Sequence, residues 1–373
     1  MARTPGEPDP GGGPWPVIVP PALTPADAHA SPSFSVVVAT YQAASTISAA
    51  LQSALAQTYP PLEVVVCDDG STDDTSTVLA GFGSAIRTIR QTNRGEAAAK
   101  NAAVAAARGD YVVVLDADDV FLPRRLEALA WLAQERPDLD VLTTDALLEA
   151  NGVVLRRAYH AEWEFPANDQ RKAILNNNFV FGLCAVRRER WLAAGGFQEQ
   201  LKFTADWEFW QRLVLSGSLV GLVDVPLALY RLSAGTLSAD HSRLVQARLT
   251  VLALASARND LTPRERQVVA SAMRRERRSL RRLLAEAVLP AGGWVARYRF
   301  ACVLLGRGVG TRARMSALLA VMSPGLAAYR RSKRVGGTVE VGAGLRVSHD
   351  PAGTTLGVPT QQSVSSAIKD ERG

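Results

Sequence analysis

From Phe34 onward, short apolar runs alternate with longer amphipathic stretches. "FSVVVAT", "LEVVVC" and "YVVVL" are β-branched runs with no polar alternation, as expected of strands buried on both faces. Between them, "STISAALQSALAQ" places Ile47, Leu51, Ala54 and Leu55 on one helical face, with Ser45 positioned to cap its start. "GEAAAKNAAVAAAR" is a strong helix by propensity. "PRRLEALAWLAQER" is amphipathic, with proline at its first helical position. A short helix after "DDGSTDDT" and a strand at "AIRTIR" complete a β-α-β-α-β-α-β-α order. That order predicts right-handed crossovers and a parallel sheet covered on both faces, with ligands at the carboxyl ends of the strands.

After Asp145 the pattern is mixed. "LLEANGVVLRRAY" reads as a hairpin turning at Asn151-Gly152. "GLCAVRRERWLAAGGF" reads as a strand and a short helix ending at Gly195, "ADWEFWQRLVLSG" as a helix, and "VPLALYRL" as a final strand. From about Arg243 to Arg334 the chain is helical in pattern and rich in arginine. Pro/Gly-rich segments flank this body. The expected boundaries are a disordered leader over 1–33, a catalytic domain over 34–240, a helical region over 241–334 and a disordered tail over 335–373.

Composition changes the picture little. Of 373 residues 47% are hydrophobic and 21% charged, which suits a folded core. The net charge of +6 gathers after Thr262, so it concerns that region and not the acidic clusters upstream. Three well-separated cysteines without a CxxC spacing argue against a disulfide framework or a zinc site and fit a reducing compartment. No secretory signal and no long uncharged apolar run is visible, so no spanning helix is expected.

The chemistry lies at strand ends. In "YVVVLDADD", Asp116 and Asp118 follow a buried strand and can converge on one hard divalent cation such as Mg2+ or Mn2+. A solvated turn with helix caps is the structural alternative. "VVVCDDGSTDDT" puts Asp68 and Asp69 on the same rim, where a carboxylate can bind a base or a ribose, and Gly70 allows close backbone approach. Asp73 and Asp74 read as helix caps. Thr40 and Tyr41 end the first strand, and Tyr41 can stack on a base or simply pack. Lys100 lies one turn into a helix whose start can face a phosphate. Asp206 and Glu208 open a later helix beside Trp207 and Trp210, where a half-buried carboxylate can serve as a general base or as a cap. Arg231 can meet a diphosphate or form a surface ion pair.

In this order and spacing, "SVVVATYQAASTISAALQSALAQTYPPLEVVVCDDGSTDDT", "NRGEAAAKNAAVAAARGDYVVVLDADD" and "GGFQEQLKFTADWEFW" resemble the family 2 inverting glycosyltransferases, from about Phe34 to Ser238. The resemblance implies a GT-A fold, a Rossmann-like mixed sheet that is mainly parallel, here with a helical C-terminal extension. It implies a nucleotide-sugar donor bound through Thr40, Tyr41, Asp68, Asp69, Lys100 and Asp116, with Arg231 at the diphosphate. It further implies Mg2+ or Mn2+ at Asp116 and Asp118, and Asp206 as catalytic base. The sequence differs from the family pattern in having Ala205 before that aspartate, Lys100 in place of arginine, and Ser233 after the "YR" pair. The QxxRW motif of processive members is absent, which implies transfer of a single sugar.

Two other readings compete. A nucleotidyltransferase would need a Gly-rich phosphate loop after the first strand, where "ATYQAAS" has none. A catalytically silent nucleotide- or glycan-binding relative would draw on Ala205 and Ser233. The expected partners are a nucleotide-sugar donor and a glycan or lipid-linked acceptor used in cell-envelope or extracellular polysaccharide synthesis. The arginine-rich region suits peripheral contact with the inner face of the membrane from the cytoplasm. A helical bundle with a solvated basic face is the plain alternative, and no nucleic-acid-binding motif accompanies the charge.

Overall fold

The computed structural model describes residues 31–160, 164–232, 241–288, 338–341 and 345–348. The leader up to residue 30, Ser233, Cys302 and the helical expectation beyond Val288 lie outside them. Within the segment expected to be a disordered tail, Thr338–Val341 and Leu345–Ser348 pair as an antiparallel ladder.

The first half follows the sequence pattern. Strands β1 (Phe34–Thr40), β2 (Glu63–Asp68), β3 (Arg87–Arg90) and β4 (Tyr111–Asp116) alternate with helices α1 (Ile47–Leu55), α2 (Thr75–Gly81), α3 (Glu96–Ala106) and α4 (Arg125–Glu135). A two-residue strand, β5 (Val120–Phe121), intervenes before α4. The second half adds β6 (Val141–Ala150), β7 (Val153–Arg157), α5 (Gln170–Asn176), β8 (Ala185–Arg187), α6 (Arg188–Ala193), α7 (Ala205–Leu215) and β9 (Val220–Arg231). The sheet has the order β3-β2-β1-β4-β8-β6-β9-β5, with β7 paired to β6. Its β3-β2-β1-β4 half is parallel, β8 runs antiparallel between β4 and β6, and β6 and β9 are again parallel.

The period of two divides the strands between two core layers. Phe34, Val36 and Val38 pack with Ile47, Leu51, Leu126 and Leu129 under α1 and α4. Val37, Val65 and Val114 point the other way, against α3, α6 and α7. Each fully buried valine or leucine here is worth about 1.5–3 kcal/mol. Trp191, Phe197, Phe209 and Trp210 form a cluster of edge-to-face and tilted ring contacts that fixes α7 on this second layer, with Trp191 and Phe209 centroids 4.5 Å apart. Helices α8 (His241–Ser256) and α9 (Pro263–Val288) extend the same layer, burying Val251, Leu252, Val269 and Ala272.

The hairpin expectation holds, whereas three helix starts differ and Leu55, expected on the inner face of α1, is exposed. The β6–β7 hairpin turns at Asn151 and Gly152, both at positive φ. Helix α1, however, starts at Ile47 after Thr46, and no side chain caps it; Ala43 O accepts from Thr46 N and Ile47 N instead. Pro123 lies in the turn before α4, not in its first helical position, because the helix begins at Arg125. Of the two aspartates before α2, Asp73 accepts from Thr75 N and Ala44 N, while Asp74 makes no capping bond.

Candidate active site

Strand register sets the rim. Thr40 pairs with Asp68 across β1 and β2, and Ala39 pairs with Asp116 across β1 and β4. Thr40, Asp68 and Asp116 therefore end at the same level, at the carboxyl edge of the parallel half. Tyr41, just past β1, is 50% exposed. The buried Thr40 hydroxyl has no hydrogen-bond partner among the described residues.

Asp68 and Asp69 are buried and already partnered. Asp68 accepts from Ser71 N at 2.9 Å and faces Arg90 at 3.2 Å. Asp69 accepts from Gln91 Nε2 at 2.7 Å, Arg94 N at 2.9 Å and Gly95 N at 2.8 Å, so it ties down the entry to α3. Gly70 sits at φ +81°, and an added Cβ would lie 3.0 Å from Asn93 N. The close approach that its missing side chain permits is thus to the Gln91–Asn93 backbone.

Lys100, one turn into α3, is buried between two carboxylates, with Nζ 2.6 Å from Asp116 Oδ1 and 2.5 Å from Glu96 Oε1. Burial works against its charge, but Asp116 and Glu96 outweigh it and hold the ammonium well above its usual range. Burial, then the negative charge of Asp116, raises the Asp118 carboxyl. Burial, Asp116 and Asp118 raise Asp119 further. Asp119 accepts from Arg231 N at 2.8 Å through one oxygen, while its other, buried oxygen has no hydrogen-bond partner among the described residues. One lysine thus faces Glu96 and three aspartates.

Arg231, at the end of β9, is anchored by that backbone bond, and its guanidinium reaches only to 3.9 Å from Glu149. Asp206 lies in the first turn of α7, half-buried, and accepts from Asn178 Nδ2 at 3.0 Å. Burial raises its carboxyl, Lys100 lowers it and Glu96 raises it, which places Asp206 within the electrostatic reach of the β4 rim. Glu208 is different. It is buried and forms a two-point pair with Arg212, at 2.7 and 2.9 Å, and accepts from Gln198 at 3.0 Å.

Sequence reasoning gave no role to Glu96, Asp119 or Asn178. The Glu96–Lys100 spacing of four was a readable helix-surface pair. Asp119 stood in the quoted motif, but its link to Arg231 is a tertiary fact. Asn178 lies in a loop and carried no local signal.

The donor set fits a hard divalent cation. Among the described residues no three His, Cys, Asp or Glu side chains form a ready cage. Two carboxylates in an under-neutralised acidic rim are what such an ion needs when a diphosphate supplies its remaining ligands.

Residues 35–193 match the family model described as Glycosyl transferase family 2. That range includes the rim but ends before Asp206 and Arg231. The chondroitin synthase of Pasteurella multocida (strain Pm70) is 32% identical over 191 residues, 50% of this chain and 19% of that protein. The Escherichia coli UDP-Glc:alpha-D-GlcNAc-diphosphoundecaprenol beta-1,3-glucosyltransferase WfaP is 38% identical over 94 residues, 25% of this chain and 38% of that one. The chain therefore spans well under two thirds of the length of these relatives. S. aureus TarS 1-349 in complex with UDP-GlcNAc superimposes with a TM-score of 0.56 at 20% identity, covering 81% of this chain and 88% of that one. This likeness shows the fold, which is GT-A.

Proposed function

We propose that the protein, whose residues 35–193 match the model of glycosyl transferase family 2, transfers a single sugar, with inversion, from a nucleotide-sugar donor to an acceptor hydroxyl. The observation that carries this reading is Asp206: a half-buried carboxylate with a raised proton affinity, within reach of the charges on the Lys100–Asp116 rim. In the proposed reaction the acceptor oxygen attacks the anomeric carbon from the face opposite the nucleotide. The bond from that carbon to the diphosphate oxygen breaks, and the nucleoside diphosphate leaves with the electron pair. The acceptor proton passes to Asp206, whose proton affinity is raised by burial, which favours its action as a general base.

The remaining roles follow position. Thr40, Tyr41, Asp68 and Asp69 border the nucleoside, Asp69 chiefly by holding the loop into α3. Lys100 keeps Asp116 oriented and offsets charge at the diphosphate, and Arg231 stands at its far side. Asp116 and Asp118 would hold Mg2+ or Mn2+, which when bound neutralises the diphosphate as it departs. The relatives' names, chondroitin synthase and a diphosphoundecaprenol glucosyltransferase, support a role in polysaccharide or lipid-linked glycan synthesis; the proposed setting is the cytoplasmic side of the membrane. The proposed domain limits remain 34–240 for the catalytic unit, with the helical region after it.

The test is a panel of nucleotide sugars with purified protein, Mn2+ or Mg2+ and detection of released nucleoside diphosphate. Release from at least one donor, abolished by chelation and by Asp118→Ala, is expected. No release from any donor would leave a silent nucleotide- or glycan-binding relative as the better reading.

A further inference from the structure

Asp206, Asn178, Thr204 and Trp207 line a small pocket together with Leu244 and Arg248 of α8. Two features of this pocket are left over from folding. The Arg248 side chain is only 15% exposed, yet its one acidic neighbour within ion-pair distance among the described residues, Glu276, stands 4.0 Å away. Glu276 is also shared with Arg275, whose Nε is 3.4 Å from it. A guanidinium carries five donors and never discharges, and among the described residues Arg248 makes only this distant ion pair, so its donors remain open to an anion at the pocket. The second feature is Thr204, 5% exposed, whose hydroxyl has no hydrogen-bond partner among the described residues.

We propose that this pocket is the acceptor subsite and that it selects an acceptor carrying an oxyanion, a carboxylate or a phosphate, next to the hydroxyl that Asp206 deprotonates. The inference rests on the reading of Asp206 as the base and adds the class of acceptor. The pocket, of about 40 Å³, is of a size for the oxyanion group itself, with Arg248 supplying the charge and Thr204 Oγ1 a neutral donor. A neutral acceptor would leave the guanidinium with Glu276, 4.0 Å away, as its one partner among the described residues. The geometry also gives α8 a role beyond packing, since the helical extension then completes the acceptor site.

The test uses matched probes: methyl glycosides, the corresponding methyl uronides and the 6-phosphates, in the gluco, galacto and 2-acetamido series. Each is titrated into protein that is releasing nucleoside diphosphate from its donor. The readout is the concentration at which the probe half-changes the release rate, whether by accepting sugar or by displacing water. In at least one series an anionic probe should act at a concentration about tenfold or more below its neutral partner, roughly 1.4 kcal/mol of selective binding. Arg248→Gln should bring that ratio close to one, and Arg248→Lys should restore part of it, with folding of both checked by circular dichroism. Preference for the uronide or for the phosphate assigns the anion. A ratio near one in every series for the unaltered protein, or a preference that survives in folded Arg248→Gln, overturns the inference while donor turnover keeps the proposed function standing. Absence of donor turnover overturns both.

Discussion

Asp206 and Glu208 stand two residues apart on α7, but their surroundings differ. Glu208 is held by Arg212, whose guanidinium also donates to Gly196 O at 2.5 Å, so its charge locks α7 to the turn before it. Removing one partner of such a buried pair typically costs about 3–5 kcal/mol. Glu208→Gln is therefore expected to lower stability by about 3 kcal/mol in urea unfolding while turnover per folded molecule stays within a few-fold. A large loss of turnover without loss of stability would point to Glu208 as the base. Asp206 must be ionised to accept a proton, so turnover should fall as pH drops through its pKa. Burial raises that pKa, and the hydrogen bond from Asn178 opposes the rise. Asn178→Ala is thus expected to move the acidic limb of the kcat/KM profile to higher pH; an unmoved or lowered limb would show that this carboxyl does not govern it. At this scale Asp68, Asp69, Asp116 and Asp118 were legible because they end or follow buried strands, and Asp206 because it opens a helix beside Trp207 and Trp210. Asn178 was not, since only the tertiary fold brings it to Asp206, 28 residues on in sequence.

The element that organises the rim is α3. Asp69 fixes its start, and Glu96 and Lys100 project from its first turns toward β4. Lys100 is the resident counter-charge for the acidic cluster. Lys100→Met should lower the melting temperature in chelator, and Mn2+ should raise the variant's melting temperature by more than it raises that of the unaltered protein. Equal metal effects on both proteins would argue that Lys100 and the ion do not share a site. Strand β9 shows where pattern reading falls short. "VPLALYRL" suggested a strand from Val225, but β9 begins at Val220. The β6–β9 register shifts where Pro226 faces Asp145, since proline cannot donate to the ladder and a central proline disguises a continuous strand. By contrast, "TPRE" before α9 held a readable start signal. Thr262 and Glu265 cap each other's backbone, at 3.2 and 2.7 Å, with Pro263 opening the helix.

For the whole molecule, the arginine-rich region divides into two faces. Leu261, Val269 and Ala272 are buried on the catalytic layer, and Glu265 pairs with Arg171 of α5 at 2.7 Å. Arg274, Arg277, Arg278 and Arg281 are exposed on the outer side of α9. Among the described residues no helix is long and apolar enough to cross a membrane. The outer face is proposed to bind anionic lipid peripherally. Deleting α8 and α9 would uncover the core, so charge removal is the cleaner probe. Replacing the four exposed arginines by glutamine should reduce co-sedimentation with anionic vesicles at low salt several-fold and leave the melting temperature nearly unchanged. Equal sedimentation of both proteins would make this face simply a solvated one. The parallel half of the fold was legible from its apolar runs. That α8 would close over Asp206 was not, because helical pattern alone does not say which layer a helix covers.

The most direct test of the proposed chemistry is Asp206→Asn, which keeps the size of the side chain and its neighbours but cannot take a proton. Turnover should fall by about a hundredfold or more, while the dissociation constant for the donor in the presence of Mn2+ stays within a few-fold. Turnover within a few-fold of the unaltered protein, in a folded variant that binds donor normally, would contradict the assignment of Asp206 as the base.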